Sequence, residues 1–67
     1  MPEIYSRNLA NAEYDQDTEV LTIDFRSGVS YRYFSVPPHV YGQLVQSIDP
    51  GGFFNVAIKG VYEYEAG

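Results

Sequence analysis

Leu21-Thr22-Ile23-Asp24-Phe25-Arg26-Ser27-Gly28-Val29-Ser30-Tyr31-Arg32-Tyr33-Phe34-Ser35-Val36-Pro37 is the stretch that decides the fold. Two alternating runs rich in Ile, Phe, Tyr and Val flank Ser-Gly, the local signature of an antiparallel hairpin. A two-residue Ser27-Gly28 loop would set Ile23 opposite Arg32 and Asp24 opposite Tyr31, mixing apolar with charged side chains. A three-residue loop Arg26-Ser27-Gly28, closed by Gly28 in the left-handed region, sets Phe25 opposite Val29, Ile23 opposite Tyr31 and Leu21 opposite Tyr33. A one-residue slip would turn a whole apolar row to the wrong side, so the second register is the expectation. Leu21, Ile23, Phe25, Val29, Tyr31 and Tyr33 then face the core. Thr22, Asp24, Arg26, Ser30, Arg32 and Phe34 face the other way.

Upstream, Asp15-Gln16-Asp17-Thr18-Glu19 is a polar turn. Its acid spacing resembles the first half of a calcium loop, but the turn glycine and the closing bidentate Glu are missing, so a solvated turn is predicted. Before it, Ser6-Arg7-Asn8-Leu9 opens a first strand, with Ala10, Ala12 and Tyr14 on one face and Leu9, Asn11 and Glu13 on the other. Pairing Tyr14 with Leu21 brings Ala12 to Ile23 and Ala10 to Phe25, small side chains against large ones. Met1 to Tyr5 reads as a short lead.

Downstream, Val36-Pro37-Pro38 stops the sheet, because proline cannot donate to a ladder and holds the residue before it extended. Val40, Tyr41, Leu44, Val45 and Ile48 recur at helical spacing, which predicts an amphipathic helix from about Pro38 to Ser47. Gly42 within it implies close packing against Tyr rings or a weak helix. Asp49-Pro50 reads as an N-cap followed by a first-turn proline, starting a second helical segment through Lys59. Phe54, Ala57, Ile58 and Val61 share one side of it. Tyr62 to Gly67 alternates, and three continuations stay open: more helix, a short edge strand, or a frayed end. The predicted architecture is α+β, a single domain over residues 1–67: a three-stranded antiparallel meander, then an amphipathic helix and a second short helix packed on one sheet face.

At 67 residues the chain is near the size where one core only just offsets chain entropy. Seven Tyr and four Phe meet that need by burying large rings. The absence of Cys rules out a disulfide framework or a thiolate metal site. No apolar run approaches the ~20 residues of a membrane span, and the N-terminus lacks a signal-peptide pattern, so a soluble cytoplasmic chain with no membrane partner is expected. The formal net charge of −5 works against phosphate backbones.

Ser6-x-Asn8-Leu9, Tyr14-Asp15, Leu21-x-Ile23-x-Phe25-x-x-Gly28-x-x-Tyr31-x-Tyr33-x-x-Val36-Pro37, Val40-Tyr41-x-x-Leu44, Gly51-x-Phe53-Phe54-Asn55-x-x-Ile58-Lys59 and Tyr62 together resemble the KTSC domain family. That family is named for the C-terminus of some lysyl-tRNA synthetases and also occurs as small stand-alone bacterial or phage proteins. The resemblance covers almost the whole chain and implies a small domain of unestablished function, with RNA binding proposed from its attachment to a tRNA-charging enzyme. Ser47 and Asp49-Pro50 depart from the family pattern before Gly51, though Asp49 still suits a cap. No synthetase body accompanies the matching residues, so aminoacylation is not carried over.

Tyr31 and Tyr33 could stack on bases, as sheet-borne aromatics do in several RNA-binding folds, but the register turns them inward. They are read as core packing, and the motif residues Pro37, Phe53, Phe54 and Asn55 as structural. The opposite face, with Arg26, Arg32 and Phe34 beside Thr22 and Ser30, is the better contact surface, Asp24 neutralising part of its charge. Lys59 lies four residues from Asn55 and could reach the same partner, although a backbone hydrogen-bonding role suits Asn55. His39, the only histidine, has no second ligand for a metal. Ser6 or Ser35 as nucleophile would need His39 as base, and neither a Gly-x-Ser-x-Gly elbow nor a phosphate loop is present. So small a chain also leaves little room for a pocket of ~300 Å³. The expectation is a non-catalytic binding or interaction module without cofactor. Its candidate partners are RNA or tRNA, from the resemblance, or a second copy or other protein through an open sheet face and edge.

Overall fold

The structure, a computed structural model, describes residues 9–66. The expected lead from Met1 to Tyr5, the strand start at Ser6 and the Ser6 hydroxyl lie outside those residues. Alternating residues build strands β1 (Leu9–Asp15), β2 (Val20–Phe25) and β3 (Ser30–Tyr33), followed by helices α1 (Pro38–Gln46) and α2 (Pro50–Ala57) and a last strand β4 (Tyr64–Ala66). The four strands form one antiparallel sheet in the order β1-β2-β3-β4.

The hairpin has the predicted register, with Leu21 paired to Tyr33 and Ile23 to Tyr31. Its turn closes as turn chemistry requires. The Phe25 N–H donates to the Val29 carbonyl at 2.8 Å, the Gly28 N–H to the Phe25 carbonyl at 3.0 Å, and Gly28 sits at φ +95°. That conformation costs glycine little because it has no Cβ.

The β1–β2 pairing follows expectation at Tyr14–Leu21 and Ala12–Ile23 and then departs from it. A bulge between Leu9 and Asn11 sets Leu9, not Ala10, opposite Phe25. Strict alternation sets Leu9 on the face of Asn11 and Glu13, yet it is fully buried. An extra residue in one strand re-aims what precedes it, and burying Leu instead of Ala removes more apolar surface from water.

The larger correction is the fourth strand. Gly60, at φ +79°, reverses the chain after α2, and the N–H groups of Val61 and Tyr62 close onto the Ile58 carbonyl at 3.0 and 3.3 Å. The alternating tail then lies along β3, Tyr64 against Tyr33 and Glu65 against Arg32, with the Phe34 N–H donating to Glu63 at 2.9 Å. Of the three continuations left open, this is the edge strand, and it satisfies backbone groups that β3 would otherwise leave unpaired.

Helix α1 begins at the predicted proline, where the Pro37 carbonyl accepts from the Val40 N–H at 3.0 Å. Val40 and Leu44 are buried and Tyr41 is half-buried, but Ile48, counted on the same stripe, lies beyond the helix end and is fully exposed. Gly42 faces open space, so the expected packing of rings against it is absent. At α2 the Asp49 carboxylate accepts from the Gly52 N–H at 3.1 Å, the predicted cap. A Cβ on Gly52 would require that capping carboxylate to shift. The helix ends at Ala57 rather than running through Lys59: the Ile58 N–H still makes the regular bond to the Phe54 carbonyl at 3.0 Å, but the Lys59 N–H reaches that same carbonyl, five residues back, at 2.9 Å. Val61, assigned to the same side as Phe54 and Ile58, therefore falls past the helix and is exposed.

Both helices cover the predicted face. The core is Leu9, Ala12, Leu21, Ile23, Tyr33, Val36, Val40, Leu44, Phe54 and Ile58. At one end of this layer Tyr14 stacks on Tyr41, ring centroids 5.1 Å apart and 13° from parallel, and its hydroxyl donates to the Val36 carbonyl at 2.6 Å. The acidic turn is an ordinary one in which the Asp15 carboxylate accepts from the Asp17 N–H at 2.9 Å.

Candidate functional site

At the opposite end of the layer the apolar face is not fully closed. The hairpin turn supplies Phe25, Arg26, Ser27 and Val29 to one wall of a cleft of about 730 Å³. The start and exit of α2 supply Gly51, Asn55, Lys59 and Gly60 to the other, and Tyr31, Tyr33, Phe54 and Tyr64 line it as well. The expectation that so small a chain lacks a pocket of ~300 Å³ is therefore overturned. The cleft lies between the hairpin-turn end of the sheet and α2 with its exit turn.

Most of its rings meet edge-to-face, while Tyr64 lies tilted over Tyr33, centroids 5.5 Å apart at 34°. Phe25 and Tyr31 have centroids 5.6 Å apart at 77°, Tyr31 and Tyr64 are 5.4 Å apart at 82°, and Phe54 meets Phe25 and Tyr33 at 5.6 and 5.5 Å. Such pairs favour this geometry because ring edges are positive and ring faces negative. Tyr33 and Phe54 are buried, Phe25 and Tyr31 half-buried, and Tyr64 is 58% exposed. Burial first, with the Tyr64 and Tyr31 hydroxyls beside it, raises the Tyr33 hydroxyl above its ordinary value. It remains a neutral hydrogen-bonding group at physiological pH.

The candidate contact residues divide between two surfaces. Arg26 and Lys59 share the cleft, and Asn55 joins them as an exposed wall residue, the α2 cap being made by Asp49. Arg26 was assigned to the outer sheet face, but it belongs to the turn, where strict alternation stops. Arg32 does lie on that outer face, where it forms an ion pair with Glu65 of β4. Phe34 follows β3 and is half-buried, so it is not the open ring that the outer-surface reading needed. Asp24, on the same strand face, accepts from the Ser30 hydroxyl at 2.6 Å. Of the motif residues, Tyr33 and Phe54 are core, Phe53 and Pro37 are half-buried, and Tyr31 both packs and lines the cleft. His39 and Ser35 are exposed and lie outside it.

Sequence reasoning missed Ser27, Gly51, Gly60 and above all Tyr64. The alternation of the tail was the signal for Tyr64, since any strand along β3 would bring that ring beside Tyr31 and Tyr33. Among the described residues, no Asp or Glu lines the cleft. A second hollow of about 580 Å³, reaching the outer face, contains Glu13 and Asp15 with Thr22 and Arg32. No helix is long and apolar enough to cross a membrane among the described residues.

The KTSC domain family model matches residues 5–62. The chain is 46% identical over 52 residues to a lysine–tRNA ligase of Nostoc punctiforme, a match covering 78% of this chain and 9% of that protein. It therefore spans about 9% of the length of this curated relative. An uncharacterized protein of Stutzerimonas stutzeri is 36% identical over 56 residues, covering 84% of this chain and 79% of that one. The crystal structure of a KTSC domain protein from Yersinia pestis superposes with a TM-score of 0.92 at 28% identity, covering 96% of this chain and 90% of that one. With the family model, the fold and a near full-length relative in agreement, this chain belongs to the KTSC domain family.

Proposed function

We propose that this domain is a non-catalytic binding module that contacts RNA through the cleft between the Arg26 turn and the Lys59 turn. The observation that carries the reading is the segregation of charge. In a chain of net charge −5, two of the four basic side chains stand with aromatic rings in one cleft whose described lining holds no carboxylate. Cations meeting phosphates supply most of the affinity of proteins for nucleic acid, and rings supply stacking. Similarity to a segment of proteins named lysine–tRNA ligase adds support for RNA as the ligand class. The non-catalytic part rests on the polar side chains among the described residues of the cleft, which are Arg, Lys, Asn, Ser and Tyr with no His, Asp or Glu among them to act as general base. Titration of fluorescently labelled tRNA at low salt tests the reading. Salt-sensitive binding at micromolar protein is the expected result, and an unchanged signal rejects it.

One observation favours a protein partner as a second reading. Ile48 is fully exposed and Val56 is 82% exposed on the helical side, where Val45 is also partly open. A second copy covering them would show as a mass rising with concentration in sedimentation equilibrium. A monomer mass independent of concentration removes self-association.

A further inference from the structure

We infer that the cleft takes one unpaired nucleotide of a single strand, its base against Tyr64 and its phosphate between Arg26 and Lys59. This inference rests on the RNA reading and narrows it. The rings are not equivalent as platforms: Tyr33 and Phe54 are each 4% exposed, so they form the floor and have almost no surface left for a ligand. Tyr64, at 58%, has the most to offer, with Tyr31 at its side and Val29, 43% exposed, across the opening. A base is flat and apolar on its faces, and stacking on such a ring tolerates any of the four. The basic groups come from separate walls, Arg26 from the hairpin turn and Lys59 from the exit of α2, and both line the cleft. Ser27 and Asn55 stand on the same walls and can hydrogen-bond a sugar or a base edge.

A duplex fits neither the shape nor the charge. Its bases are stacked inside, out of reach of Tyr64, and domains that recognise duplex RNA do so across about 16 base pairs. This domain measures 27 × 23 × 22 Å between its Cα extremes, and its outer sheet face presents Glu13 and Glu65 near Arg32. Two cations also fix the salt dependence. At about −0.7 per neutralised phosphate on a single strand, the slope of log affinity against log salt is about −1.4, a loss of about sevenfold between 50 and 200 mM.

The test titrates a labelled single-stranded RNA oligonucleotide and the same strand annealed to its complement, at several salt concentrations. The expected result is single-strand binding at least about tenfold tighter than duplex binding, with the shallow slope above. Tyr64→Ala should weaken single-strand binding roughly five- to hundredfold. Arg26→Ala with Lys59→Ala should weaken it and bring the slope near zero. Tyr64→Leu, which keeps an apolar wall on β4 but no stacking face, serves if the alanine variant loses its circular-dichroism spectrum. Equal or tighter duplex binding overturns this inference and leaves the RNA reading standing. So does full single-strand affinity in the folded Tyr64 variant, whereas full affinity in the double basic variant removes the cleft as the RNA contact and the proposed function with it. Failure of both RNA forms to bind removes the RNA reading itself, and the inference with it.

Discussion

The cleft and the outer face of the sheet each present an arginine, and they differ in what surrounds the charge. Arg26 and Lys59 stand over a floor of interlocked rings, with no acidic residue among the described residues that line the site. Arg32 lies over polar strand residues and is paired with Glu65 beside a hollow that contains Glu13 and Asp15. The two surfaces thus differ in the charge gathered around each arginine: the described lining of the cleft brings two cations together, whereas Arg32 sits among carboxylates.

Several substitutions can break or sharpen this contrast. The largest effect belongs to the cleft floor. Phe54→Ala removes a buried ring that touches Phe25 and Tyr33, and should destabilise by about 3–5 kcal/mol in urea denaturation. A loss below about 1 kcal/mol would mean the floor is not part of the core.

Next comes the cap that holds the start of α2, where Gly51 meets the cleft. Asp49→Ala should cost about 0.5–2 kcal/mol. Gly52→Ala should be neutral or destabilising in the native background, since its Cβ displaces the capping carboxylate. In the Asp49→Ala background the same change should stabilise by about 0.5–1 kcal/mol through helix propensity. A sign that does not reverse between backgrounds would mean that shifting the carboxylate costs little.

Tyr14→Phe, at the far end of the layer, deletes the hydrogen bond to Val36 and should cost about 0.5–1.5 kcal/mol. The pH profile belongs with it. Burial first, then the charges of Glu19 and Asp15, raises the Tyr14 hydroxyl, while Tyr33 and Tyr41 are raised chiefly by burial. Between the ordinary value near 10 and the raised folded values, the unfolded chain binds fewer protons than the native one. Stability from these groups is therefore complete below about pH 10 and falls as pH rises further. Melting temperatures should drop above that pH, and less steeply in Tyr14→Phe.

The smallest effect belongs to the outer face. Arg32→Ala should change stability by no more than about 1 kcal/mol, because its ion pair is solvent-exposed, and should leave RNA affinity near the native value. An affinity loss as large as that of Lys59→Ala would return the contact surface to the outer face.

The hairpin was legible because two independent signals agree there: the alternation from Leu21 to Tyr33 and a glycine suited to the left-handed turn position. The start of α2 was legible because Asp-Pro combines a cap with a preset φ. Leu9 was misassigned because a bulge leaves no local mark, its only driver being a core filled from elsewhere in the chain. The tail was ambiguous because three residues of alternation weigh little until β3 offers them an unpaired edge. One omission produced another. Without β4 there is no Glu65 opposite Arg32, and Arg32 then reads as an open contact residue. The cleft itself had no sequence signal, since its walls come from residues 25–31, 51–60 and 64, which meet only through tertiary packing.

The bulge at Ala10 has a consequence for insertions and deletions. Ala10 is surplus to the ladder, so a chain shortened by that one residue would bring Leu9 into the regular position opposite Phe25, still facing inward. Loss of Thr22 from the middle of β2 would instead invert every side chain on one flank of the gap. Length variation among proteins of this shape is accordingly predicted to gather at the start of the first strand and to spare the second.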